Sequence, residues 1–317
     1  GALLGAVLTA SGPTPVLHLQ DPALVESSGL AVSARHDGVL WTHADGGSVA
    51  QVRAVDERGE TVAVVTLEGI DPYDPEALAP GRDGDGEPAL FLGDIGDNRE
   101  ERPDISVFRF REPSDLRDQT VPAEWYRFTY PDGPHDAEAL LVHPRTGRLV
   151  VVTKDLSGAG VYRAPRDLVT TDAGTNRLVR VADAPSFVTD GAYLPDGRLA
   201  LRTYTSVYVY DRPGSEIGSA DLPVQPQGES LAVDGARLLV GSEGERSAVY
   251  RVAVPGPTPE PRPAPAARGT VRGESDDWAA WRDAYRVARV VAIVVLLAAI
   301  VAVLRRSRRR GRRPPRR

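Results

Sequence analysis

Alternating apolar and polar residues form a short strand pattern that recurs five times along the chain, with frequent β-branched or aromatic side chains. The five copies begin at Val52, Val107, Val161, Val207 and Val249. Each follows a segment in which Leu comes after a small residue or Pro, namely Gly38-Val-Leu, Pro88-Ala-Leu, Gly147-Arg-Leu, Gly197-Arg-Leu and Ala236-Arg-Leu. Self-similarity at a period of roughly 40 to 60 residues is typical of a propeller or solenoid.

Each repeat can be interpreted as one blade of an antiparallel sheet. An inner strand begins with Glu, Ser or Thr, a turn rich in Pro and Gly follows, and the two recurring strands come next. A weaker outer strand is predicted at residues 61–67, 125–130, 178–181 and 217–222. The fifth repeat lacks its own outer strand, and residues 16–20 can supply it. We therefore predict an all-β, five-bladed β-propeller over residues 14–254; six blades are the alternative if residues 121–130 conceal an irregular blade.

Four short motifs resemble the lactonase/phytase/YncE-like type of extracytoplasmic bacterial β-propeller. They are Glu26-Ser-Ser-Gly-Leu-Ala-Val, Leu40-Trp-Thr-His-Ala-Asp-Gly, Pro75-Glu-Ala-Leu-Ala and Leu92-Gly-Asp-Ile-Gly-Asp-Asn. The resemblance covers roughly residues 16–254 and implies the fold more than an activity. The Lys-rich phosphate pocket of propeller phytases is not evident.

The chain beyond the repeats predicts a membrane anchor. Residues 255–274 form a Pro-rich stalk, and residues 275–304 contain 15 consecutive uncharged residues from Val290 to Leu304 after an aromatic belt. Residues 305–317 hold nine Arg, which the positive-inside rule places in the cytoplasm. Residues 1–12 are consistent with a signal-peptide remnant. We expect a single C-terminal transmembrane helix in the cell membrane with the propeller outside the cytoplasm.

Charge and composition narrow the functional classes. Without the nine Arg of the tail, 29 basic residues face 44 acidic ones, so nucleic acid is an unfavourable partner and cations or basic partners are favoured. There is no Cys, which excludes Cys metal sites. Lys154 is the only Lys, and Arg-rich composition with abundant Ala, Gly and Pro indicates a high-GC, actinobacterial genome.

Repetition should bring equivalent acidic residues together at one mouth of the central channel. Glu76, Glu138 and Glu229 start inner strands, where Ser28 and Thr189 occupy the same position in the other two blades. A second set follows the second strand, namely Asp45, Asp94, Asp97, Asn98, Asp155 and Glu243. Converging carboxylates repel one another, and Ca²⁺ with oxygen ligands would relieve that repulsion. The predicted metal ligands are Asp94, Asp97, Asn98, Glu76, Glu138, Glu229, Asp45 and Asp155. Alternatively, each Glu caps backbone N–H groups of the neighbouring blade.

Four residues are candidates for catalysis or anion binding. Lys154 could bind an anion or form an ion pair with Glu138, and Arg202 occupies the matching place in the next blade. His43 and His135 neighbour candidate acids, but the five His show no metal-ligand spacing. No GxSxG nucleophile motif is present.

The leading functional hypothesis is a non-catalytic binding or scaffold module. It would bind a divalent cation at its acidic mouth and, through it, an extracytoplasmic ligand or protein. The alternative is a Ca²⁺-dependent hydrolase, a phosphoesterase or lactonase-like enzyme, that uses the same face. A third possibility is a purely structural propeller.

Overall fold

The computed structural model describes residues 14–45, 49–156 and 158–256, which form an all-β ring. The chain enters through strand β1 (Pro15–His18) and a short 3₁₀ helix (Pro22–Leu24). Blade 1 then contains β2 (Ser27–Val32), β3 (Leu40–Ala44), β4 (Gln51–Val55) and β5 (Thr61–Leu67). Blade 2 continues with β6 (Pro75–Arg82), β7 (Pro88–Asp94) and β8 (Ile105–Arg111).

Two blades gain a short extra strand from the chain that follows them. After β8 the chain first forms β9 (Gln119–Val121), which pairs in parallel with β5, and then β10 (Glu124–Thr129), the outer strand of blade 2. Blade 3 contains β11 (Ala137–Val142), β12 (Leu149–Thr153) and β13 (Ala159–Arg163). The chain then adds β14 (Asn176–Arg177) in parallel to β10 before β15 (Val179–Ala184) completes blade 3.

The last two blades complete a five-bladed ring. Blade 4 contains β16 (Val188–Tyr193), β17 (Leu199–Thr203), β18 (Ser206–Arg212) and β19 (Ser215–Asp221), and blade 5 contains β20 (Leu231–Asp234), β21 (Arg237–Val240) and β22 (Ala248–Ala253). The inner strands β2, β6, β11, β16 and β20 contact one another in that order, and β20 contacts β2. The prediction of five blades is confirmed. The six-bladed alternative is wrong, because residues 121–130 supply the end of β9 and the outer strand β10.

Blade 5 obtains its outer strand from the N-terminal side of the chain, as the sequence predicts. Strand β1 runs antiparallel to β22, with Pro15 opposite Tyr250 and His18 opposite Ala248. Leu17 is buried in the core between blades 5 and 1. Gly59 adopts φ +83°, and a Cβ there would lie 1.8 Å from the His18 carbonyl oxygen, so only glycine permits this closure.

The core lies between neighbouring sheets, because alternate residues of each pleated strand face the next blade. Trp41 is completely buried between blades 1 and 2, and its Nε1 donates a hydrogen bond of 2.8 Å to Glu112 Oε1. The inner strands also enclose an apolar cavity of about 310 Å³ at one end of the channel, lined by Leu30, Leu78, Leu140, Tyr193 and Val233 among others. Polar groups gather at the opposite end.

The predicted terminal segments lie outside the described residues. These are the signal-peptide remnant (1–12), all but the first residues of the stalk (255–274), the span (275–304) and the Arg-rich tail (305–317). Among the residues described, no helix has the length and apolar character needed to cross a membrane.

Candidate functional site

One face of the ring collects the loops that enter each inner strand and the loops that join each second strand to the third. We call it the acidic face. Its loops comprise residues 19–26, 45, 49–50, 68–74, 95–104, 130–136, 154–156, 158, 185–187, 204–205, 222–230 and 241–247. Antiparallel connectivity places these loops at the same end of every blade. The buried Glu76, Glu138 and Glu229 lie at this end, as the repeat pattern predicts.

Three carboxylates converge closely at this face. Asp45, Asp74 and Glu76 each offer one oxygen, and these three oxygens all lie within 4.8 Å of one another. We call them the carboxylate triad. Glu76 is buried, whereas Asp45 and Asp74 are half-buried. Ser28 Oγ lies 3.1 Å from Glu76 Oε2 and 3.0 Å from the Glu76 carbonyl oxygen, so it fixes the Glu76 side chain from the neighbouring blade.

Crowding of negative charge perturbs the triad. Burial raises the pKa of Glu76 far above its usual range, and the charges of Glu138, Asp45 and Asp74 raise it further. Burial, and then the charge of Asp136, also raise the pKa of Asp74. The folded protein therefore favours a proton or a cation between these oxygens. Two ligands that each lie about 2.4 Å from one Ca²⁺ can be at most about 4.8 Å apart, so the oxygen separations in the triad are compatible with this ion.

Glu138 is held by the single lysine of the chain. Lys154 Nζ donates a hydrogen bond of 2.6 Å to Glu138 Oε1 and lies 5.5 Å from the centre of the Tyr204 ring. Burial raises the pKa of Glu138, and Lys154 opposes that shift. Burial alone would lower the pKa of Lys154, but the charge and hydrogen bond of Glu138, together with the charges of Tyr204 and Glu229, outweigh burial, so the net pKa is raised. Lys154 therefore stays protonated and forms the ion pair that the sequence allows.

Glu229 and Glu243 extend the acidic site on blade 5. Glu229 is only 2% exposed, and its Oε2 is buried without a hydrogen-bond partner among the described residues. Burial raises the pKa of Glu229. Glu243 is half-buried, and burial followed by the charges of Glu229 and Asp45 raises its pKa to about 7. These charge interactions place both residues beside the triad.

The loop that carries Asp94, Asp97 and Asn98 is organised by an arginine. Arg102 forms an ion pair of 2.9 Å with Asp94 and donates its backbone N–H to Asp97 Oδ2 at 2.7 Å. Asp94 Oδ1 also accepts the backbone N–H of Asp74 at 2.9 Å, and the Asn98 side chain bonds to Asp74. Asp94 and Asp97 are thus engaged in shaping the loop, and Asp74 brings its carboxylate to the triad.

Arg202 and Asp190 join blade 4 to blade 5. The Arg202 guanidinium is fully buried and donates to the carbonyl oxygens of Ser230 and Gly241 at 2.7 and 2.8 Å. Burial lowers the pKa of Arg202 to about 10. Asp190 Oδ2 accepts the backbone N–H of Leu231 at 2.6 Å. The capping of a neighbouring blade that the sequence suggests for the Glu residues is thus seen at Asp190.

The remaining candidates from the sequence, His43, His135 and Asp155, lie in three different environments. His43 is buried, its Nε2 donates to the Pro75 carbonyl oxygen at 3.0 Å, and burial lowers its pKa to about 4. His135 Nε2 lies 3.1 Å from Asp132 Oδ1 and 3.0 Å from the Tyr162 hydroxyl. The carbonyl oxygen of Asp155 accepts the backbone N–H of Phe187 at 3.2 Å.

Asp74 is the main site residue that the sequence interpretation missed. A polar residue precedes the inner-strand position by two in four blades, as in Glu26-Ser-Ser28, Asp74-Pro-Glu76, Asp136-Ala-Glu138 and Gln227-Gly-Glu229. Aligning the repeats on this spacing would have revealed Asp74 and Asp136. Tyr204 and Arg102 have no comparable repeat signal.

Comparisons with known proteins give information about the fold alone. No family model and no curated protein match this sequence. The gluconolactonase XC5397 from Xanthomonas campestris is 15% identical, with 78% of this chain and 96% of that chain covered and a TM-score of 0.43. An aldose sugar dehydrogenase from Streptomyces coelicolor is 10% identical, with coverages of 76% and 96% and a TM-score of 0.42. Virginiamycin B lyase from Staphylococcus aureus is 13% identical, with coverages of 72% and 66% and a TM-score of 0.37. At these identities and scores the likeness carries no inference about activity.

Proposed function

We propose that this protein is a membrane-anchored, extracytoplasmic β-propeller that binds Ca²⁺ at its acidic face and, through that ion, a ligand or protein partner. The observation that carries the proposal is the carboxylate triad, whose three oxygens lie within 4.8 Å of one another. The buried Glu229 Oε2, which lacks a hydrogen-bond partner among the described residues, independently favours a cation. Asp45, Asp74 and Glu76 would hold the ion, and it would neutralise their mutual repulsion.

Oxygen ligands decide the kind of metal. The described part of the site offers carboxylates without Cys, and the buried His43 donates its Nε2 hydrogen to the carbonyl oxygen of Pro75, the residue before Glu76. Such a donor set suits a hard cation rather than zinc or copper. Ca²⁺ accepts irregular sets of six to eight oxygens, so water or a bound ligand would complete its coordination.

The test is thermal unfolding of the full-length protein in detergent with Ca²⁺, with Mg²⁺ and with EDTA. A ligand that binds only the folded state at about 100 times its Kd adds about 2.7 kcal/mol, which should raise the Tm by a few degrees. We expect Ca²⁺ to raise the Tm and Glu76→Gln to abolish the increase. Glu245→Gln, which changes an exposed acid on the same face, is the matched control. An equal Ca²⁺ response in the Glu76→Gln protein would refute the triad as the site.

A hydrolase is the second candidate, and the position of Glu243 favours it. This half-buried carboxyl lies beside the triad and can exchange a proton near neutral pH, as a general acid or base must. Lys154 supplies a permanent positive charge nearby. The check is a panel of phosphoesters and lactones. Turnover that is lost in EDTA and in the Glu243→Gln variant, but kept in the Glu245→Gln variant, would establish an enzyme. The absence of turnover on this panel would contradict the hydrolase and favour the binding module.

A further inference from the structure

The most exposed large apolar side chains lie on the acidic face. Among the described residues, Val224 (98% exposed), Tyr73 (70%) and Leu156 (65%) exceed all other large apolar side chains in exposure, and all three belong to its loops. Val25, Val49 and Phe187 add to the same face. The other exposed large apolar residues lie on or near outer strands, namely Val16, Val62, Trp125, Val169 and Val179. Contiguous exposed apolar patches that are rimmed by polar residues are typical of protein interaction sites.

Hydrogen bonds and a ring contact fix part of this apolar surface in place. Leu156, Phe187 and Tyr204 form what we call the aromatic wall. The Phe187 and Tyr204 ring centres lie 6.4 Å apart, and Ser186 Oγ donates to the Leu156 carbonyl oxygen at 2.9 Å. The Phe187 backbone N–H bonds to Asp155. Hydrogen bonds therefore hold the loop of Phe187 to the loop of Leu156, beside Lys154.

Phe187 also adopts an unfavourable backbone conformation. Its φ is +60°, in the left-handed region that bulky residues rarely occupy. Glycine would be the favourable residue here, yet the chain carries a large aromatic ring that stays 37% exposed. Because more than a third of the ring stays exposed, burial of the Phe187 side chain offsets its backbone strain only in part. Strained residues of this kind concentrate at functional sites.

The charge of the face defines what it can attract. Acidic residues greatly outnumber Lys and Arg in the described loops of this face, where the basic residues are Arg99, Arg102, Lys154 and Arg246. Two of these are already paired, Arg102 with Asp94 and Lys154 with Glu138. The field of the face therefore favours a positively charged partner.

We infer that the acidic face binds a polypeptide segment in which Arg or Lys residues stand beside apolar or aromatic ones. The partner's basic side chains contact the acidic loops, and its apolar side chains cover Leu156, Phe187 and Val224. This inference goes beyond the proposed function, because the partner contacts the acidic loops directly rather than through the cation. It rests on the acidic face as a binding surface. Negatively charged lipid is disfavoured because the acidic loops repel it.

Defined peptides test the inference on the full-length protein. The probe is a short labelled peptide in which Arg and Leu alternate, and its comparison is a peptide of equal charge in which Arg and Ser alternate. We expect the Arg–Leu peptide to bind about tenfold more tightly, a difference of about 1.4 kcal/mol. The triple variant Leu156→Ser, Phe187→Ser and Val224→Ser should reduce its affinity to that of the Arg–Ser peptide. The matched control Val62→Ser with Val179→Ser should leave affinity unchanged.

The single variant Phe187→Gly keeps the test valid if the triple variant fails to fold. Glycine removes the strain, so we expect a higher Tm together with weaker binding of the Arg–Leu peptide. A purely structural role of Phe187 would leave binding unchanged and would overturn the inference. Equal affinities for the two peptides would overturn it too, as would binding to vesicles of phosphatidylserine in place of the peptides. The Tm response to Ca²⁺, measured on the same proteins, tests separately whether they bind the cation.

Discussion

At the scale of single residues, Lys154 and Arg202 differ in both position and surroundings. Lys154 follows strand β12 and corresponds to Tyr204 in blade 4, whereas Arg202 lies within β17 at the level of Val152. The sequence makes both of them candidates for anion binding. In the structure the Lys154 side chain is 22% exposed and faces Glu138, whereas Arg202 is completely buried among backbone carbonyl groups. The matching of Arg202 with Lys154 is therefore wrong. The burial of Arg202 could not be predicted from the sequence, because it depends on Ser230 and Gly241 of the next blade.

Replacing Arg202 should therefore damage the fold rather than ligand binding. A lysine in its place cannot reproduce the planar set of donors, so buried carbonyl groups lose their partners. We expect Arg202→Lys to lower the free energy of unfolding by about 2 to 4 kcal/mol. Urea denaturation measures this change. Arg198→Lys, at a surface turn where Arg198 pairs with Asp196, is the control and should stay within about 0.5 kcal/mol. Equal losses in the two variants would contradict this assignment.

At the scale of secondary-structure elements, the sequence predicts the long strands well and misses the shortest. The outer strand predicted at residues 61–67 coincides with β5, and the strand beginning at Val107 falls within β8. Strands β9 and β14 have only three and two residues, too few to show an alternating pattern. Their positions depend on parallel pairing with the preceding blade, which is a tertiary interaction.

The closing strand β1 offers a test at this scale. Leu17 points into the core between blades 5 and 1, so Leu17→Ala should leave a cavity and cost about 2 to 4 kcal/mol of unfolding free energy. Val16, its neighbour, is 38% exposed, and Val16→Ala should cost much less. Chemical denaturation of both variants would measure the difference. Similar losses would show that β1 contributes little through its buried face.

At the scale of the whole molecule, the ring combines an acidic face with an apolar cavity at the other end of its channel. The repeat correctly predicts that acids gather at one end. It does not predict which of them meet, because the triad combines Asp45 and Glu76 with Asp74, whose position depends on the loop that Arg102 holds. The distribution of charge over the faces was predictable, whereas the identity of the three carboxylates that converge was not.

The buried acids should make stability depend on pH. Glu76, Glu138, Glu229 and Glu243 have pKa values raised above the ordinary 4.5, so the folded state binds their protons more tightly. Their stabilising contribution is complete below about pH 4.5 and is lost as pH rises through the folded values. In EDTA we therefore expect the Tm to fall by several degrees between about pH 5 and 8.

Glu76→Gln should flatten that fall, and Ca²⁺ should reduce it because the cation replaces the missing protons. Melting curves over this pH range, with EDTA and with Ca²⁺, make the comparison. Glu245→Gln should retain the full pH dependence. A Tm that is constant over the range in EDTA would rule out proton uptake by these carboxyls as a source of stability.

The pairing of β1 with β22 also has a consequence for the order of folding. Strand β1 is synthesised before every other strand that the structure describes, but it can pair only after blade 5 has been synthesised, since Pro15 lies opposite Tyr250. Blades 1 to 4 can form from local hairpins. Closure of the ring requires the pairing of β1 with β22, which are far apart in the sequence and therefore slow to pair. Until then β22 is an open sheet edge that another chain could occupy. Chaperone dependence during biosynthesis should therefore concentrate at this final closure.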